Sequence, residues 1–377
     1  MTLVPKPTYS ICILPWISFD KQYKIDQISL TPIQTTNLKG LFPELKTILS
    51  SYVDMIGRPI EQCSLLTIEG NNPVWNIKPS DDQRVMKAIA FFFLSSFSCN
   101  NYFTRCAAYV NASAFQPIFQ EFQIPLRGLL FRRRRRDGVV SSGGWEHGEV
   151  KLSIPLECAF LKPKMDENFL QALGELKEKD DKLFRRILTA LSFFRLANTD
   201  HAHMSIDAEM ILMGATFEAL FDADGKEQVA CRYEEYFENY KSKIVRDVLV
   251  VRPWIKWDEK DKEKEAREKQ WQLGRKFIQE LHRLRSNYIH GNDVSKQSWG
   301  WSPDEHLVMG AFIFPLAVKL LLEKVELYSL TNEDKKACKA IDIILAKTDW
   351  KSTWQSSLVS NAFWDSLREE PLGNISG

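Results

Sequence analysis

The chain has 377 residues, 44% of them hydrophobic and 26% charged, with a net charge of +1. That length exceeds one ordinary core and suits two globular units. The near-neutral charge excludes a global attraction to nucleic acid or to an anionic membrane, so any such contact must come from local patches. The seven cysteines (Cys12, Cys63, Cys99, Cys106, Cys158, Cys231, Cys338) are scattered and include no C-x-x-C pair. They read as reduced thiols in a cytoplasmic protein rather than a disulfide frame or zinc site. No signal peptide is read at the start of the sequence. The two most apolar runs, Ala88 to Phe97 and Leu307 to Leu322, read as too short or too interrupted by Gly310, Pro315 and Lys319 to cross a bilayer.

Up to about residue 160 the pattern is mixed. Tyr9 to Ile17, Cys63 to Glu69 and Val150 to Leu156 read as short β segments, with helical character from Asp81 to Phe97 and frequent prolines and glycines between. Arg132 to Arg136 are five consecutive arginines, followed by Asp137-Gly138 and Ser141-Ser142-Gly143-Gly144. Charges this dense repel one another unless a polyanion is near, so the run predicts a mobile loop. It would bind RNA phosphates in a salt-sensitive way, or else remain a solvated loop or meet an acidic protein.

A charged, polar stretch from Lys162 to Lys182 marks a boundary, and beyond it apolar residues recur every three or four positions. Phe184, Ile187, Leu188, Leu191 and Phe194 line a first helix. Ile206, Met210, Met213, Phe217 and Leu220 line a second, with Ser205 as its N-cap. A third helix is expected from Gln228 to Leu249, before Pro253. Asp258 to Lys269 alternates charges and reads as a solvated helix start or loop. Leu273, Phe277, Leu281, Leu284 and Tyr288 line a fourth helix, which Gly291 ends. Ser302-Pro303-Asp304-Glu305 is a capping box that opens a fifth, buried helix with an expected kink at Pro315. A sixth runs from Asn332 to Ala346. The fold class is therefore an α+β domain over residues 1–165, an all-α helix bundle over 175–350 and a tail over 351–377.

Arg285 and His290 carry the candidate chemistry. A guanidinium grips a phosphate through paired hydrogen bonds, and an imidazole exchanges a proton near neutral pH. Together they offer what cleavage of RNA by its own 2′-hydroxyl requires, without a metal or other cofactor. Five residues along an ideal helix turn a side chain by about 140°, so the pair converges within one chain only if the helix ends between them, an ending assigned to Gly291. One Arg–His pair is sparse, which favours a site composed of two copies facing each other in a homodimer. Ser286 and Asn287 would add neutral donors. The plainer alternative makes Arg285 a surface helix residue and His290 a C-terminal charge complementing the helix dipole.

The segment Leu284-Arg285-Ser286-Asn287-Tyr288-Ile289-His290-Gly291 resembles the Arg-x4-His signature of HEPN domains. Phe193 to Asn198, followed by Ala215-Thr216-Phe217-Glu218-Ala219-Leu220-Phe221, is similar to the paired early helices of the ApeA-like branch of that family. The resemblance covers roughly residues 180 to 330. It implies a HEPN-like helix bundle, dimeric and ribonucleolytic, of the kind found among bacterial toxins and antiviral defence proteins, with Arg285 on the scissile phosphate and His290 as acid or base. Ser286 departs from the Asn, Asp or His often found after the motif arginine. Asn292 replaces the tyrosine that nucleotidylated members carry two residues beyond the histidine, which disfavours that mode of control. Glu218, mid-helix, could orient His290 or Arg285, or serve at the surface.

Arg195 and His201 form a second, weaker Arg–His pair with one more residue between; His201 and His203, lacking nearby carboxylates or thiols, make a poor metal site and read as loop histidines. Among the tryptophans, Trp254, Trp257 and Trp271 read as packing, while Trp299 and Trp301 are candidate base-stacking platforms. The leading expectation is a metal-independent endoribonuclease acting on RNA, restrained by its N-terminal domain or by a regulatory protein partner. The alternatives are a non-catalytic HEPN module for dimerisation or RNA binding and a structural subunit of a defence complex.

Overall fold

The computed structural model describes residues 8–38, 42, 44–100, 103, 109–123, 129–134, 140–145, 151–158, 161, 163–200, 204–253, 255, 262–294 and 299–348, with backbone alone at 129, 133, 134 and 140–145. An antiparallel sheet region comes first and a helical part follows. The chain divides into two compact units, Met1–Ser96 with Val110–Gly174, and Phe97–Tyr109 with Glu175–Gly377. Arg135, Arg136, Val150, His201, His203, Trp254, Trp257, residues 258–261 and the tail at 351–377 lie outside the described residues.

The first unit contains β1 (Thr8–Leu14), β2 (Tyr23–Ile25), β3 (Ile28–Gln34), α1 (Glu44–Leu49), β4 (Tyr52–Val53), β5 (Gln62–Ile68), most of α2 (Asp82–Cys99), β6 (Ile118–Gln123), β7 (Leu129–Arg134), β8 (Val140–Trp145) and β9 (Leu152–Ser153). Seven strands form one sheet in the order β2-β3-β5-β1-β6-β7-β8. The central strand β1 carries Ile11, Cys12, Ile13 and Leu14, all fully buried. A run buried on both faces loses the polar alternation that marks a half-exposed strand. Pro32 in β3 lies beyond the reach of β2, whose pairing stops at Leu30. A proline, lacking the N–H, is tolerated near such an edge. Among the described residues of the expected segment Val150 to Leu156, only Leu152–Ser153 is a strand, parallel to β4.

The arginine run is not a loop where the structure describes it. Arg132, Arg133 and Arg134 end β7 and pair with Ser142, Ser141 and Val140 of β8, so the supposed flexible serine–glycine stretch is also a strand. Arg132 is buried, with its guanidinium 2.5 Å from Asp82 and 3.1 Å from Glu121 and over the ring of Phe119. Two carboxylates and a backbone carbonyl at Ile77 meet its charge, which is how a buried arginine is tolerated. Arg132 is thereby removed from the expected RNA-binding set.

The second unit is built from helices. After α3 (Glu167–Lys179), which crosses the division, come α4 (Asp181–Ala197), α5 (Ile206–Phe221), α6 (Lys226–Phe237), α7 (Val245–Val248), α8 (Lys262–Glu268), α9 (Leu273–Ile289), α10 (Pro303–Lys324) and α11 (Asn332–Ala346). The Ser205 hydroxyl accepts from the Ala208 N–H and caps α5. Ser302 and Glu305 form the capping box of α10. That helix is buried nearly all round and runs through Pro315. It is long and apolar enough to cross a membrane, contrary to the reading of its shorter apolar run, but 89% of its most apolar stretch is buried inside the fold. Lys319 inside it is neutralised by Asp334 at 2.7 Å.

The expected third helix is broken. It ends at Phe237, passes through a short 3-10 turn and resumes only as α7. The buried carboxylate of Asp342 on α11 accepts from the backbone N–H groups of Ser242 and Lys243, and Val245 donates to Trp271. Tertiary partners thus take the donors that a continuous helix would use internally. The charged stretch before α9 is also less solvated than expected, because Glu268 is buried against Lys276 at 2.7 Å.

Candidate functional site

Leu273, Phe277, Leu281 and Leu284 are buried and fix the rotation of α9, as their spacing predicts. α5 packs against α4, α9 and α10. Where α5 meets α9, Gly214 lies under Arg285: a Cβ at Gly214 would fall 2.6 Å from both Cβ and Cγ of the arginine. Absence of a side chain lets the arginine stem lie against the neighbouring backbone.

One turn further along α5, Glu218 divides its two oxygens between residues of α9. Oε2 is 3.0 Å from Nη2 of Arg285, and Oε1 is 2.6 Å from Nε2 of His282. The second contact is close but off the axis of a hydrogen bond. All three side chains are partly shielded, at 27%, 20% and 11% exposure for Arg285, Glu218 and His282. Arg285 Nε is buried and has no hydrogen-bond partner among the described residues. Glu218 therefore orients Arg285 without occupying its whole fork.

His290 is the C-cap of α9 and is exposed. Gly291 adopts φ +64°, the left-handed conformation that suits glycine. Its N–H donates to the Tyr288 carbonyl and the Asn292 N–H to that of Asn287, a Schellman ending. The helix thus ends at His290 rather than between Arg285 and His290, and the two residues keep the roughly 140° separation of an ideal helix. Convergence within one chain is not achieved by the helix end. Ser286 contributes its carbonyl to the His290 N–H. The Asn287 side-chain oxygen accepts from the Asn292 amide at 3.0 Å, which closes the turn.

Around this end of α9, burial and Asp207 raise the Tyr288 hydroxyl above its ordinary value. At the start of α5, burial, with Asp200 and Asp304 nearby, pushes the Glu209 carboxyl up to about 7. Trp299 sits beneath Arg283 at 4.2 Å and donates to the Val294 carbonyl. Trp301 is not a stacking platform: it is 1% exposed, edge-on to Phe277, and donates to the Leu345 carbonyl. Burial lowers the Arg195 guanidinium to about 10. Among the described residues no group of three His, Cys, Asp or Glu side chains is arranged to hold a metal ion.

Sequence reasoning placed Glu218 near the motif but missed Gly214 and His282. Their signals exist: a glycine inside an apolar helix pattern marks a close approach, and His282 lies three residues before Arg285, on the same helix face. Comparisons with family models, curated proteins and solved structures find no match to the chain.

Proposed function

We propose that this protein is a metal-independent endoribonuclease of the HEPN type, working as a homodimer and serving as a regulated toxin or antiviral defence effector. The observation that carries this reading is the ion pair between Glu218 and Arg285 across Gly214. A freely solvated helix arginine needs neither the glycine beneath it nor the carboxylate beside it. In the reaction, the 2′-oxygen of RNA attacks the adjacent phosphorus, the bond to the 5′-oxygen breaks, and a 2′,3′-cyclic phosphate and a 5′-hydroxyl result. Arg285 bears the charge that grows on the phosphoryl oxygens, and His290 accepts the 2′-proton or protonates the departing 5′-oxygen. Because the pair diverges along α9, His290 of the partner subunit serves Arg285 in a composite site.

The same divergence favours a second reading, in which the helical unit holds RNA or dimerises without cleaving. Expression in bacteria separates the two. If His290→Ala abolishes growth inhibition while fold and RNA affinity are retained, the enzyme reading gains its support. If wild type and variant are equally harmless and bind RNA equally, the binding-module reading takes its place.

A further inference from the structure

Two carboxylate oxygens and one guanidinium ordinarily close into a paired fork, the arrangement that most fully occupies an arginine. In Glu218 the closest approach to Arg285 is through Oε2, at 3.0 Å, while Oε1 lies 2.6 Å from His282. His282 and Arg285 are three residues apart on α9, so their side chains reach the same stretch of α5. His282 is thus the imidazole beside Arg285 within a single chain, whereas His290 lies on a diverging direction at the helix end.

We infer that His282 is a positioning residue, which occupies one oxygen of Glu218 so that the carboxylate orients Arg285 through the other and leaves the exposed part of the arginine side chain to a phosphate. The ligand role of Arg285 rests on the ribonuclease reading; the division of Glu218 between two residues does not. Without His282, Glu218 turns both oxygens onto Arg285, and the closed fork competes with a phosphate for the same donors. Glutamine at position 282 can place an amide nitrogen near the position of imidazole Nε2 and keeps a polar neighbour beside Oε1; leucine cannot.

Two measurements on the full chain test this. Crystal structures of wild type and His282→Leu read the Glu218–Arg285 geometry directly. Fluorescence anisotropy with a 2′-O-methyl RNA oligonucleotide, which cannot be cleaved, reads how open Arg285 is. Expected is a two-oxygen pair in His282→Leu, with affinity reduced about five- to tenfold, near wild-type affinity in His282→Gln, and recovery in the double variant His282→Leu/Glu218→Gln, where the competing charge is gone. Recovery on removing a second side chain is an outcome that simple loss of packing does not give. An unchanged single contact in His282→Leu overturns the inference whatever the RNA does. So does a loss of affinity that Glu218→Gln fails to restore. A closed fork in His282→Leu with no RNA bound by any of the proteins supports the role of His282 in the geometry and contradicts the ribonuclease reading instead.

Discussion

Gly214 and Arg285 occupy one contact between α5 and α9 so closely that the smallest side chain at position 214 would fall 2.6 Å from the arginine Cβ and Cγ. Those atoms belong to the base of the side chain, where α9 itself limits movement. Gly214→Ala is therefore expected to destabilise the helical unit by about 1–3 kcal/mol, the usual range for overpacking, even though alanine favours a helix over glycine by up to about 1 kcal/mol. Urea unfolding of wild type and variant measures the sign. A stabilised variant would mean that the two helices separate easily and that Arg285 is not held where it is described.

Arg132 faces two carboxylates from inside the sheet unit, Asp82 and Glu121. Removing its charge leaves both without their partner in a poorly solvated place. Arg132→Ala is expected to cost about 3–5 kcal/mol, as for other buried pairs broken from one side. A change within about 0.5 kcal/mol in a denaturant titration, the size typical of an exposed site, would return Arg132 to the solvated loop first expected of it.

His306 gives the protein an acid limit. It is fully buried, stacked 4.9 Å from Phe277, and burial lowers its imidazole to about 3. The unfolded chain binds this proton below about pH 6.5 and the folded chain does not, so stability is present above that pH and falls as the pH drops from about 6.5 toward 3. Thermal melts of wild type and His306→Gln across that interval check the assignment. The variant is expected to be less stable at pH 7 but to lose less on acidification; parallel curves would contradict it.

Gly291 closes the helix just after His290 with a left-handed φ of +64°. Gly291→Ala strains that turn and is expected to cost about 1 kcal/mol. Near-ultraviolet circular dichroism and melting temperature should show a small loss of stability with the fold kept. Improved stability would show that α9 simply continues past His290.

A composite site makes a further outcome measurable. Arg285→Ala and His290→Ala proteins, each inactive alone, regain one intact site in the mixed dimer, so an equimolar mixture after subunit exchange should recover about a quarter of wild-type cleavage. Absence of recovery, with mixed dimers demonstrated by mass spectrometry, would place both residues of a working site in one chain.

Local signals made parts of this architecture legible. The Ser302–Glu305 box carries its own helix start and Gly291 its helix end, because capping depends on residues a few positions apart. What escaped was set from afar. Asp342, about a hundred positions away, breaks the helix expected beyond Phe237. Arg132 is accommodated in a strand by carboxylates at positions 82 and 121. In the site, the Arg285–His290 spacing was readable. The sharing of Glu218 between Arg285 and His282 arises only once α5 and α9 are packed together, and no pattern within either helix specifies which side chains meet.

The most direct measurement is incubation of purified wild type, Arg285→Ala and His290→Ala with total RNA in EDTA, followed by chemical identification of the new ends. Cleavage by wild type alone, leaving 2′,3′-cyclic phosphate and 5′-hydroxyl ends, is the result expected of the Arg285–His290 site. Cleavage that persists in either variant, or that disappears from wild type only when EDTA is present, would contradict it.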